Sequence, residues 1–278
     1  MQYLTDSNLD PARRALSADL RPAARLSLGT EALRPKPPEP SSVEDAVAAE
    51  HASVSLEQSL SHLRRRLVRS ANVSIDMLEA SLHALWNADH LVAQQVRRRD
   101  DSIDDEEVRI ELECLRLLTL QRPYGQDFRL ITFCMKVNAD IERVADHATS
   151  IAKIALQVDP DDPPVWPTAL AELGDRVPML CHELLRAVLD EDAETAQRLV
   201  HGDEIIDRLD KQLFQEITDW IEQRPAEGAS ALHAYRLGRE LERIGDLMAN
   251  IAEDVIYLVT GYIIRHQSSA DDDPAASS

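Results

Sequence analysis

The sequence predicts an all-α fold of two tandem three-helix bundles, and three observations lead to it. Ala, Leu, Glu, Arg and Asp dominate the 278 residues, while glycines number only eight and aromatic residues make up 4 %; this composition favours helices. Apolar residues recur at steps of three and four, and no strand-like alternation bounded by Asn-Gly or Asp-Gly is found. The second half of the chain also repeats the pattern of the first.

Six segments carry the helical period. They cover roughly 54–87, 90–121, 126–157, 164–190, 193–223 and 229–264. The breaks between them are rich in Pro, Gly, Asp and Asn, which are the usual stop signals: they read WNADH, QRPYGQ, QVDPDDPPVWP, LDEDA and EQRPAEG. Short connections of this kind favour antiparallel neighbours and hence three-helix units.

The chain divides into four parts. Residues 1–53 form an N-terminal extension, predicted to be disordered or partly helical, because four prolines fall within RPKPPEP (34–40). The first three-helix repeat covers 54–158 and the second covers 164–266. A polar, acidic tail at 267–278 is expected to be disordered.

An internal duplication relates the two halves. NADHLVAQQVRRRDDSID (87–104) aligns with DEDAETAQRLVHGDEIID (190–207) at an offset of 103, so that Asp89 matches Asp192. Further along the offset becomes 100, and Glu142 and Asp146 match Glu242 and Asp246. Two tandem copies of one unit are the simplest interpretation.

Charge limits the classes of partner. The formal net charge of −20 argues against nucleic acid, whose binding needs a basic surface. The same charge suits divalent cations or basic patches on other proteins. Cys114, Cys134 and Cys181 are scattered along helical segments and are expected to be reduced core thiols. With no signal-peptide pattern and no run of about 18 apolar residues, we expect a cytoplasmic protein.

Acidic pairs recur at matching places in the two repeats. Each repeat has one pair at spacing i,i+4 on its second helix and one on its third, beside the apolar stripe. Carboxylates held together need a proton or a cation between them, so we predict metal sites between facing helices. The candidate ligands are Asp100, Asp104, Glu142, Asp146, Asp203, Asp207, Glu242 and Asp246.

Two other interpretations of these acids stay open. One is a metal-free helical scaffold whose acidic face is solvated, with Arg143 and Arg243 as partners. The other is a metal-dependent enzyme, but the chain has no Glu-x-x-His motif of the di-iron bundles and no nucleophile elbow or phosphate loop. Oxygen ligands alone favour Mg, Mn, Ca or iron over structural zinc.

These motifs resemble the PhoU family, which regulates phosphate uptake and signalling in bacteria. The resemblance lies in DSID…IERVADHATSIAK and DEIID…LERIGDLMANIAEDVIYLVTG, and in RPYGQDFRLI before the third helix. It covers about 54–264. It implies a non-enzymatic protein with divalent or trivalent metal ions (Mg, Mn, Fe or Zn) at the eight candidate acids.

The resemblance also implies partners. A member of this family is a negative regulator that links the ATPase subunit of the phosphate ABC transporter to a sensor histidine kinase, reaching the membrane only through those partners. A homodimer is expected, and nucleic acid is not. One departure concerns the metal sites: Lys153 stands where the second half has Glu253, so the first site is expected to be the weaker one.

Overall fold

The computed structural model describes residues 43–200 and 203–263, with side chains from 56–200 and 204–263. All regular secondary structure in this part of the chain is helical and none of it is strand, which confirms the predicted all-α class. The helices are α1 (Val43–Asn87), α2 (His90–Gln121), α3 (Gln126–Ala155), α4 (Thr168–Asp190), α5 (Ala193–Val200), α6 (Asp203–Gln223) and α7 (Gly228–Thr260), with a short 3₁₀ helix at Pro225–Glu227 before α7.

Several helix ends differ from the predicted ones. Helix α1 already begins at Val43, within the predicted arm at 1–53. The rest of that arm, 1–42, and the predicted tail at 267–278 lie outside the described residues. Helix α4 begins at Thr168, directly after Pro167, because a proline disfavours helical geometry in the residue before it. Helix α7 ends at Thr260 because Gly261 takes the left-handed conformation, with φ of 78°.

Equivalent caps begin the second helix of each repeat. Asp89 Oδ1 accepts hydrogen bonds from the backbone N–H groups of Leu91 and Val92 at 3.0 and 3.1 Å. Asp192 Oδ1 accepts from those of Glu194 and Thr195 at 3.0 Å each. An aspartate at this position satisfies backbone donors that have no partner in the first helical turn. The sequence duplication therefore corresponds to a structural one.

The third helices of the two repeats pack against each other in antiparallel directions. The polar contacts that join them include Arg129 Nε to the Leu258 carbonyl (3.3 Å), Lys136 Nζ to Asp254 Oδ1 (3.1 Å) and His147 Nδ1 to Glu240 Oε2 (2.6 Å). The contact positions run forward along α3 and backward along α7. Both long helices are therefore central to the fold, each covered by the other helices of its own repeat.

The first helices of the repeats also pair. Arg64 Nη1 lies 2.8 Å from Glu191 Oε1, and Trp86 packs edge-on against Trp166 with ring centroids 6.3 Å apart. A Cβ atom at Gly174 would lie 2.7 Å from Trp86 Cζ2, so α4 approaches α1 closely only because residue 174 has no side chain. The two repeats thus meet along two helix pairs, α1 with α4 and α3 with α7.

The core is apolar and contains all three cysteines. Cys114, Cys134 and Cys181 are buried and free, and burial raises the pKa of each thiol to about 12. Thiols with so little thiolate are chemically inert, which confirms the expected core role. None of the described helices is both long and apolar enough to cross a membrane.

Candidate metal centre

The first-half candidates converge where α2 faces α3. Asp100 and Asp104 come from α2, and Glu142 and Asp146 come from α3. Burial raises the pKa of Asp104, and the nearby charges of Asp100 and Asp146 raise it further. Carboxylates from both helices are therefore close enough to repel each other, as the acidic pairs predicted.

Glu142 is the most perturbed member of this first-half cluster. Burial raises its pKa to about 7, with further contributions from the charges of Asp146, Asp104 and Glu107 and from a hydrogen bond with Asp146. Two hydrogen-bonded carboxyl groups share a proton, because neither oxygen of an ionised pair can donate. Below about pH 7, Glu142 therefore carries a proton at a place where a cation would also be stabilised.

A buried threonine fixes one edge of the first-half cluster. Thr149 Oγ1 donates a hydrogen bond of 2.9 Å to Asp100 Oδ1, and Thr149 is 2 % exposed. Because the hydroxyl is held in the core of the bundle, it orients the carboxylate at the end of the cluster. Support of this kind behind a ligand is typical of built binding sites.

The structure adds an acid that the sequence analysis did not include. Glu107 follows Asp104 on α2, and burial, Glu111 and Asp104 all raise its pKa. Its repeat equivalent at the offset of 103 is Asp210, which influences Glu242 in the second half. The signal was present in the sequence: 100, 104 and 107 follow the i, i+4, i+7 spacing of one helix face.

The second-half cluster contains a guanidinium group. Arg239 Nη1 lies 3.0 Å from Glu242 Oε1 and 3.7 Å from Asp210 Oδ2. Burial and Asp246 raise the pKa of Glu242, and Arg239 partly offsets that rise. The Glu242 side chain is only 15 % exposed, and its Oε2 atom is buried without a hydrogen-bond partner.

The α6 candidates Asp203 and Asp207 have no described interaction with Glu242. Asp203 begins α6, but its side chain lies outside the described residues. Asp207 is exposed on α6. Among the described residues, the α6 acid that reaches Glu242 is Asp210. Asp203 and Asp207 remain predicted ligands.

The donor chemistry of both clusters fits a hard cation. Carboxylate oxygens from two facing helices are the ligands that Mg, Mn, Ca and iron accept, and the partnerless Glu242 Oε2 is an oxygen available to such an ion. Within the described residues, no group of three or more His, Cys, Asp or Glu side chains is arranged so that it could hold a metal ion. The eight ligands therefore stay a prediction.

The basic residues expected beside the acids lie elsewhere. Arg143 Nη1 lies 3.4 Å from Asp140 Oδ1, which is not one of the eight candidates. Lys153 is exposed in the last turn of α3. Glu253, its repeat equivalent, lines a surface pocket of about 240 Å³ together with Lys136 and Asp254. The predicted weakening of the first site by Lys153 remains untested.

A duplicated three-helix architecture with an acidic cluster in each copy defines a class of helical repeat proteins. A model of the PhoU domain matches this chain twice, over residues 67–155 and 170–255. The chain belongs to the PhoU family, as its motifs indicated.

Two relatives show how far the similarity extends. The phosphate-specific transport system accessory protein PhoU homolog of Pseudomonas aeruginosa is 33 % identical over 217 residues, which cover 78 % of this chain and 90 % of that protein. The Pseudomonas putida homolog of the same name is 34 % identical, covering 78 % and 85 %. These names describe accessory proteins and not enzymes, in agreement with the non-enzymatic expectation.

Solved structures share the fold. The crystal structure of PhoU from Pseudomonas aeruginosa matches with a TM-score of 0.71 at 33 % identity, covering 74 % of this chain and 99 % of that one. The phosphate transport system regulatory protein PhoU from Streptococcus pneumoniae matches with a TM-score of 0.69 at 27 % identity, covering 75 % and 99 %. The all-helical architecture of two tandem bundles is therefore that of the PhoU family.

Proposed function

We propose that this chain regulates phosphate transport as an accessory protein. The match of the PhoU model to both halves carries the proposal, and relatives that the chain covers almost completely are named for that role. The regulation is negative: when phosphate is plentiful, the protein restrains phosphate uptake and phosphate-responsive signalling.

The proposed mechanism is that of a cytoplasmic adaptor. It links the ATPase subunit of a phosphate ABC transporter to a sensor histidine kinase and approaches the membrane only through them. An exposed apolar stripe on α2, formed by Val108, Leu112 and Leu115, supports a role in binding other proteins. The acidic charge of the chain supports partners with basic surfaces over nucleic acid.

In this proposal the carboxylate clusters bind metal ions that stabilise the packing of the helices rather than catalyse a reaction. A cation between α2 and α3 would relieve the repulsion that raises the pKa of Glu142 and so tighten the contact between these helices. Elemental analysis of protein purified without chelators tests this point. Less than about 0.1 metal ion per chain would favour the metal-free scaffold instead.

Deletion of the gene tests the regulatory role. We expect phosphate-responsive transcription and phosphate uptake to stay high in phosphate-rich medium, and a plasmid copy of the full chain to restore repression. Unchanged transcription and uptake in the deletion strain would contradict the proposal.

Affinity purification of the chain from phosphate-replete cells, with partners identified by mass spectrometry, tests the adaptor mechanism. The transporter ATPase and a sensor kinase are the expected partners. Recovery of neither, with the chain itself abundant, would leave the fold intact but contradict the adaptor role. Light scattering of the purified chain tests the expected homodimer, and a monomer mass at micromolar concentration would contradict it.

A further inference from the structure

One face of α2 is apolar although it lies at the surface. Val108, Leu112 and Leu115 are 50 %, 60 % and 44 % exposed. Thr119 is exposed one turn further on, and its Oγ1 atom donates a hydrogen bond of 2.8 Å to the Leu115 carbonyl. Because this hydroxyl is satisfied within the helix, the methyl group of Thr119 extends the apolar surface. These four residues form the α2 seam.

The second repeat shows that the three-helix packing does not require an apolar face here. At the offset of 103, the buried Ile110 of α2 aligns with the buried Leu213 of α6, so the two helices share one register. The equivalents of Val108, Leu112, Leu115 and Thr119 are Lys211, Gln215, Thr218 and Glu222. Gln215 is exposed and donates a hydrogen bond of 2.9 Å to Asp219 Oδ1, as expected of a residue that faces water. An exposed apolar patch on one copy of the repeat only indicates a binding surface.

The spacing of the α2 seam selects a helix as its partner. Steps of four, three and four separate its residues, which is the spacing of the a and d positions of a coiled coil. Val108 and Leu115 take the d positions, and Leu112 and Thr119 take the a positions. Such a seam packs against a second helix that carries the same pattern.

The charges beside the α2 seam make it complementary to itself. In a parallel pair, a g residue of one helix lies beside the following e residue of the other. Glu111 takes a g position and Arg116 the following e position, so two copies of α2 form this ion pair twice by symmetry. An antiparallel pair would instead bring e residues together and place Arg109 beside Arg116 of the second copy, where they repel.

The arginines that flank the α2 seam are available for new contacts. Arg116 Nη1 lies 3.8 Å from Glu113 Oε2 within the same helix, and the Arg109 guanidinium lies 3.7 Å from Asp105 and from Glu106. Both arginine side chains are more than 60 % exposed. Exposed pairs of this kind contribute little to stability, so Arg116 can turn toward a second chain at little cost.

We propose that the α2 seam binds the α2 seam of a second copy of this chain, in parallel orientation, with Glu111 of each copy paired with Arg116 of the other. The seam is short for a coiled coil, but each helix is already formed within its own bundle, so association orders little additional backbone. This inference rests on the homodimer expected under the proposed function and names the surface that forms it.

Light scattering of the full chain across a range of concentrations tests the surface. Leu112→Glu places two carboxylates opposite each other at the centre of the seam and should weaken the dimer on the order of a hundredfold or more. The matched control is Gln215→Glu, which makes the same change in charge at the equivalent position of the second repeat and should leave the dissociation constant within about twofold. Circular dichroism should show native helix content in both variants, because both positions are exposed.

Cross-linking tests the orientation. A parallel pair places residue 112 of the two copies opposite each other, so Leu112→Cys should form a disulfide-linked dimer under copper phenanthroline oxidation. The three native cysteines are buried and should not react, and Gln215→Cys should stay uncross-linked.

Charge reversal is an independent test of the ion pair. Glu111→Arg should weaken the dimer on the order of tenfold, because it faces Arg116 of the second copy. Adding Arg116→Glu to this variant should restore the dimer, since the pair then forms with its signs exchanged. A double variant as weak as Glu111→Arg alone would overturn the proposed pairing.

The remaining outcomes separate this inference from the proposed function. A wild-type chain that is monomeric at micromolar concentration would overturn the inference and the expected homodimer, but not the regulation of phosphate transport, which gene deletion tests. A dimer that survives Leu112→Glu would place the homodimer on another surface. Loss of the dimer in Leu112→Glu without cross-linking of Leu112→Cys would overturn the parallel orientation. A monomeric chain that co-purifies with another protein only while Leu112 is intact would assign the seam to that protein instead.

Discussion

His147 Nδ1 lies 2.6 Å from Glu240 Oε2 and joins the third helix of the first repeat to the third helix of the second. The two side chains are only 18 % and 14 % exposed. The two repeats meet through α3 with α7 and through α1 with α4. The hydrogen bond between His147 and Glu240 lies within the antiparallel contact of α3 with α7. Removing this hydrogen bond therefore tests how much the contact between the repeats contributes to the stability of the fold.

Replacing His147 by Ala should destabilise the fold by about 1–3 kcal/mol, because the nearly buried Glu240 carboxylate loses this hydrogen bond. The matched control is His182→Ala. His182 Nε2 lies 2.7 Å from Glu79 Oε1, but these side chains are 44 % and 48 % exposed, so the expected loss is under about 1 kcal/mol. Urea unfolding measures both changes, and equal losses would contradict a special role for the buried contact.

Glu142 should make the metal-free protein more stable in weak acid than at neutral pH. Its pKa rises from an ordinary value of 4.5 to about 7 in the folded state, so the folded state holds the proton more tightly than the unfolded chain does. The contribution to stability is complete below about pH 4.5. It is lost as the pH rises through about 7.

Urea unfolding of chelator-treated protein across this pH range checks the sign. The free energy of unfolding should fall as the pH rises, and Glu142→Gln should flatten that part of the profile, because the amide does not titrate. Addition of Mn²⁺ should reverse the trend, since a cation favours the ionised carboxylate. A free energy of unfolding that rises with pH in this range, and that Glu142→Gln does not change, would contradict the raised pKa of Glu142.

Gly174→Ala should weaken the contact between α1 and α4. The new Cβ would lie 2.7 Å from Trp86 Cζ2, and forcing an aromatic ring aside in a packed interface costs about 1–3 kcal/mol. Gly228→Ala is the control, because a Cβ there meets nothing within 4 Å and alanine favours the helix by up to about 1 kcal/mol. A thermal shift assay should give opposite signs, and a neutral Gly174→Ala would show that the indole moves freely.

The fold could be predicted from the sequence because the chain contains the same three-helix pattern twice. The apolar period placed the helices, and the prolines and glycines between them placed most ends within a few residues. The predicted end of α7 at residue 264 was wrong because the apolar residues Tyr262 and Ile263 continue the pattern past Gly261. The left-handed φ of Gly261 ends the helix. Periodicity alone does not report backbone conformation.

Only part of each acidic cluster could be predicted from the sequence, as Arg239 shows. Its contact with Asp210 joins α7 to α6, and spacing along one helix says nothing about residues on another. Glu107, by contrast, lies on the same face of α2 as Asp100 and Asp104, so the spacing within that one helix was enough to predict it. Contacts between the repeats, such as that of His147 with Glu240, depend on which helices face each other.

Asp146→Asn should remove the stabilising effect of metal from the first repeat while leaving its helices intact. A ligand at 100 times its dissociation constant stabilises a folded protein by about 2.7 kcal/mol, so Mn²⁺ should raise the unfolding midpoint of the wild type much more than that of the variant. Without metal the variant should be as stable as the wild type or more so by a few tenths of a kcal/mol, because a like-charge pair at i,i+4 is relieved. Asp175→Asn, an exposed site on α4 with the same change in charge, should respond to Mn²⁺ as the wild type does. Loss of helical circular dichroism in metal-free Asp146→Asn would show instead that Asp146 supports the fold itself.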